Sequence, residues 1–152
     1  MYSIKNDAAK NRLYVTIGVL KTRDSCNLVN AMLKRASKMR RGFTLLLDLS
    51  TFKPTSELAT QHICTGIDYL QKQGLGYIAK VSCPMEAMAD IDVFCIPYGM
   101  ECQTAATAAE ADKILDWWAA AQEAKGAMIE KGAAPAFQEY NPPDCVFLSP
   151  QD

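Results

Sequence analysis

Phe43-Thr44-Leu45-Leu46-Leu47-Asp48-Leu49-Ser50 is the stretch that decides the fold. Phe43 to Leu47 is short, almost wholly apolar and preceded by Gly42, the pattern of a strand buried on both faces. Asp48 and Ser50 end it with polar groups. After Pro54, either Thr55 or Ser56 can cap a new helix, and Glu57 suits its first turn. Hydroxyls at Ser50, Thr51, Thr55 and Ser56 therefore gather where a strand's C-terminal end meets a helix N-terminus. Free backbone N–H groups make such a corner attractive to anions. This corner, including Glu57, is the first place to expect recognition.

Working outward, Tyr2 to Asp7 reads as a first strand, with a turn from Asn6-Asp7 to Asn11. Arg12 to Leu20 alternates, with Leu13, Val15 and Ile17 on one face and Tyr14 and Thr16 on the other. Thr22 or Asp24 can cap a helix whose apolar stripe is Leu28, Val29, Met32, Leu33, Ala36 and Met39, ended by Gly42. A second helix is expected from about Ser56 to Gln73, with Ala59, Ile63, Cys64, Ile67 and Leu70 inward and Gly74 closing it. Leu75 to Val81 is another strand. Pro84 opens a third helix reaching Phe94, and Met100 to Ala105 is a short edge strand. Thr107 caps the last helix with Glu110 at the capping-box position, and the Ala-rich run continues to about Lys131.

The order β-β-α-β-α-β-α-β-α predicts an α/β fold. Its mixed sheet has four or five strands, with helices mainly on one face. Three segments carry a resemblance: Leu13 to Leu20, Phe43 to Ser50, and Ala106 to Trp117. With them the chain resembles STAS domains of the SpoIIAA-like group, relatives of bacterial anti-sigma-factor antagonists. The likeness covers residues 1–120 or so; the domain is drawn at 1–131, followed by a Pro-rich extension at 132–152. It implies a cytoplasmic, bacterial, non-catalytic regulatory module that binds a protein partner through Ser50, Thr51, Thr55, Ser56 and Glu57. Antagonists of that group carry Asp-Ser-Ser-Gly, with a phosphorylated serine, where this chain has Pro54-Thr55-Ser56-Glu57. A hydroxyl survives; the Asp and Gly do not.

Composition agrees with a single globular domain. The chain has 152 residues, 49% hydrophobic and 22% charged, and no apolar run approaches the roughly 20 residues of a membrane span. The N-terminal residues lack the pattern of a signal peptide, so the expected compartment is the cytoplasm. A net charge of −1 gives no reason to expect nucleic acid. The six cysteines, Cys26, Cys64, Cys83, Cys95, Cys102 and Cys145, form no C-x-x-C pair. They read as free, mostly buried thiols, without a metal or a required disulfide. No cofactor is implied.

Other polar groups have plain readings. His62, the only histidine, is expected to face solvent or to bond locally. Asp90 and Asp92 are a poor dyad, because i, i+2 positions on a helix do not face each other. Lys34, Arg35, Lys38, Arg40 and Arg41 suit a helix C-terminus. No nucleophile, base and orienting group appear together, so no enzyme is expected. Of the adjacent Trp117 and Trp118, one can fill the core while the other reaches its edge. Phe137, Tyr140, Val146, Phe147 and Leu148 make the extension too apolar for a free linker, so it packs on its own domain or in a homodimer. The Met-rich helices leave a carrier of a small apolar ligand or lipid as the alternative function.

Overall fold

The computed structural model describes residues 1–81 and 102–124. Strands β1 (Tyr2–Asp7) and β2 (Arg12–Ile17) form an antiparallel hairpin in which Tyr2 faces Ile17 and Asp7 faces Arg12. The chain then runs β3 (Val19–Leu20), α1 (Thr22–Ala36), β4 (Thr44–Asp48), β5 (Lys53–Pro54), α2 (Glu57–Lys72) and β6 (Tyr77–Val81). Beyond the next described boundary lie β7 (Cys102–Ala105) and α3 (Ala108–Ala124). The main sheet has five strands in the order β1-β2-β4-β6-β7, parallel except for β1. β3 and β5 pair separately as a short parallel ribbon. The α/β class and the mixed sheet agree with the sequence reading.

β4 is the middle strand of the main sheet, and its apolar run is explained by cover on both sides. Leu45 and Leu47 enter one core with Leu13, Val15, Ile17, Ile78 and the inner stripes of α1 and α2. Leu46 points the other way, into a second core with Tyr77, Ala79, Val81 and Ala111 and Leu115 of α3. Successive parallel strands are added in one direction, so right-handed crossovers put α1 and α2 on the same face. Two of the three described helices thus share a face, as the expectation of helices mainly on one face has it, and α3 is the exception. It follows the last described strand, where no crossover directs it, and it covers the opposite face.

The alternation read from Arg12 to Leu20 is interrupted at Gly18, and the last two residues leave the main sheet to form β3. α1 begins after Lys21 rather than after a Thr22 or Asp24 cap, and Lys21 makes no side-chain capping bond. It ends at Ala36, so Met39 is buried from outside the helix and Gly42 lies in the turn before β4. α2 closes as predicted: Leu75 N–H donates to Leu70 C=O and Gly74 N–H to Gln71 C=O, with Gly74 at φ +110°. That pair of bonds is a Schellman motif, which needs a left-handed residue. α1 and α2 approach closely at Gly66, where a Cβ would stand 2.9 Å from Val29 Cγ2. The helix expected at Pro84 to Phe94, Asp90 and Asp92, and the extension at 132–152 lie outside the described residues. Among the described residues no helix is long and apolar enough to cross a membrane.

Candidate functional site

The corner between β4 and α2 is anchored by backbone bonds. Lys53 N–H donates to Gly18 C=O and Thr55 N–H to Leu20 C=O, so the segment lies along β3. Ser50 turns back onto the end of β4, its amide and hydroxyl both donating to Asp48 Oδ1 at 3.0 and 2.7 Å. Ser50, Thr51, Lys53, Thr55 and Glu57 are exposed. Four of the five expected site residues are exposed and Ser56 is half-buried, so their hydroxyls differ in role.

Ser56, not Thr55, is the cap of α2. Its Oγ accepts from Ala59 N–H at 3.1 Å, satisfying one of the orphan amides of the first turn. The same oxygen lies 2.5 Å from Thr22 Oγ1, which joins the first turns of α1 and α2. Thr55 Oγ1 donates to Leu20 C=O at 3.0 Å and stays at the surface. The exposed hydroxyl of the pair is thus Thr55.

Behind this surface lies a buried polar contact absent from the sequence reading. His62, 3% exposed, is not at the surface; its Nδ1 is 2.5 Å from Ser25 Oγ and 3.5 Å from Cys26 Sγ. Ser25, fully buried, has one hydroxyl proton and gives it to Thr22 C=O at 2.6 Å. In that arrangement Nδ1 carries a hydrogen and donates to Ser25 Oγ. Ser25 and His62 are thus paired with each other beneath the surface, both buried. The cysteine expectation needs a correction here. Cys64 and Cys102 are not disulfide-bonded, but Cys26 is. Cys83, Cys95 and Cys145 lie outside the described residues.

The opposite end of the sheet holds a second cluster. Arg12 is buried in β2 and reaches Asp112 and Asp116 of α3, with Asp116 Oδ1 at 2.9 Å. Its Nε donates to Thr44 Oγ1 at 3.1 Å, and Tyr14 Oη donates to Asp112 Oδ1 at 2.8 Å. Lys10 Nζ completes the set, 3.0 Å from Asp112 Oδ2 and 3.6 Å from Asp116 Oδ1. Burial alone would raise the Asp112 pKa; hydrogen bonds from Lys10, Tyr14 and Arg12 instead hold it at about 2. Burial and the bond to the Asp112 carboxylate both raise the Tyr14 pKa. These groups satisfy one another and tie α3 to the sheet.

Beside them is an open concavity of about 440 Å³ lined by Lys5, Asn6, Asp7, Ala8 and Tyr14, with the Lys5 ammonium over the Tyr14 ring. Among the described residues, no group of three or more His, Cys, Asp or Glu side chains is placed to hold a metal ion. Lys80 is a further charged residue buried within the sheet, on the Ile78 side of β6. In comparisons with known proteins, the chain matches no family model and no curated protein sequence.

Proposed function

We propose that the chain is a non-catalytic, STAS-like regulatory module that binds a protein partner through the Ser50–Glu57 corner. The observation that carries this reading is the division of labour within the corner. Ser56 faces inward and fixes the geometry, while Thr51, Lys53, Thr55 and Glu57 are displayed on a segment held to β3 by backbone bonds. A backbone fixed in this way removes the loop-ordering cost of binding, leaving only that of the side chains themselves. The inward-facing Ser25–His62 contact, sealed from solvent, supports a structural role over a catalytic one. A carrier of an apolar ligand would need an apolar cavity; among the described residues, the concavity beside β1, lined by Lys5, Asn6, Asp7, Ala8 and Tyr14, is not of that kind. In this reading the module acts in the cytoplasm of a bacterium.

The test is affinity capture from the native host followed by binding measurements with purified components. Thr51→Arg, Thr55→Asp and Glu57→Arg alter exposed side chains only. Each is expected to keep the fold and to weaken the captured partner at least tenfold, about 1.4 kcal/mol. A partner that binds all three variants as tightly as wild type places the epitope elsewhere and ends this reading.

A further inference from the structure

α3 turns Ala111 and Leu115 into the second core, with Ile114 and Trp118 packed beside them. Trp118 stacks on Tyr77, ring centroids 5.5 Å apart. The far side of the helix carries Ala109, Lys113, Trp117, Ala120 and Ala124, all exposed. Their spacing of four, four, three and four residues is that of a helix-packing seam. At 100° per residue the five positions fall within an arc of about 80°. Trp117 is 67% exposed, so its indole contributes little to the core of its own subunit. Lys113 and Glu123, on and beside the seam, form no ion pair among the described residues.

We infer that this face packs against α3 of a second copy, the two helices antiparallel about a twofold axis between Trp118 and Ala119. In that register Trp117 of each copy lies over Ala120 of the other, and the Lys113 stem lies over Ala124. In both pairs a large side chain meets a small one, the condition for close helix packing. The Lys113 ammonium then reaches Glu123 of the second copy, and the twofold axis makes that pair twice. A parallel pair in register would set Lys113 against Lys113 and Trp117 against Trp117. Charge and size both select the antiparallel arrangement. Antiparallel helices also place each positive N-terminal end beside a negative C-terminal end, which favours the same arrangement.

Sedimentation of the full chain over a concentration series tests this, with circular dichroism as the control for folding. Wild type is expected to dimerise reversibly. Lys113→Glu or Glu123→Lys alone should weaken the dimer about tenfold by setting like charges together. The double variant Lys113→Glu/Glu123→Lys should recover most of the loss, and Trp117→Ala should weaken the dimer at least as much as either single change. A wild type that stays monomeric throughout the series overturns the proposal. So does a dimer that neither single charge reversal weakens, or whose weakening the double variant does not recover.

Discussion

Arg12 of β2 and Asp112 of α3 stand 100 residues apart in the chain and share a charged contact beneath α3. The two partners are not equally exposed: the Arg12 side chain is 1% exposed, those of Asp112 and Asp116 29% and 51%. Removal of the carboxylates strands a buried cation, whereas removal of the guanidinium leaves carboxylates that water and Lys10 can serve. Asp112→Ala/Asp116→Ala is therefore expected to cost about 3–5 kcal/mol, as for other buried charges left unpaired. Arg12→Met, which keeps the apolar stem, should cost clearly less. Denaturant titration of the three proteins gives the order directly; equal losses would show that burial of the cation is not what sets the cost.

The same contact sets an acid limit. Asp112 has a folded pKa of about 2 against an ordinary 3.8. A depressed carboxylate contributes stability that is present above its unfolded pKa and is lost as pH falls through the folded value. The α3 contact should thus weaken between about pH 4 and pH 2, and Asp112→Asn should flatten that part of the stability profile. Thermal unfolding at steps of pH in both proteins checks it. A profile of the same slope in the variant would place the acid sensitivity at other groups.

Leu45 is fully buried in β4, between β2 and β6. Leu45→Ala should cost about 2–5 kcal/mol through lost burial and the cavity left behind. A loss under about 1 kcal/mol would be incompatible with a packed central strand.

The parts of this fold legible in the sequence are those written locally. The Phe43–Leu47 run is short and continuously apolar, and Gly74 marks the end of α2. The Thr107–Glu110 spacing gave the last cap: Glu110 N–H donates to Thr107 Oγ1 at 3.1 Å, though the Glu110 carboxylate takes the amide of Ala106. The α3 side was not legible. Polar residues at alternate positions of β2 look the same whether they face water or carboxylates a hundred residues away, and Arg12 and Tyr14 do the latter. His62 did leave a signal. Ala59, His62, Ile63, Gly66, Ile67 and Leu70 share one face of α2, and all are buried. A polar residue inside that repeat predicts a buried partner, found in Ser25. The Cys26 disulfide had no such mark, because no spacing in the chain singles that cysteine out.

The two hydroxyls at the start of α2 should separate cleanly by mutation. Ser56 holds the Ala59 amide and meets Thr22, so Ser56→Ala removes a cap and an interhelical bond together. Its expected cost is about 1–2 kcal/mol. Thr55 makes one bond, to the Leu20 carbonyl, from an exposed position, and Thr55→Ala should cost about 0.5 kcal/mol or less. Ser56→Asp keeps an acceptor for both Ala59 N–H and the Thr22 hydroxyl, and its charge suits a helix N-terminus, so it should lie close to wild type. Thr55→Asp should also fold, because its carboxylate can stay in solvent. Equal losses for the two alanine variants would show that the capping bond of Ser56 does not set it apart energetically from Thr55. Near-native stability of both aspartate variants is what would allow either position to carry added negative charge without unfolding the corner.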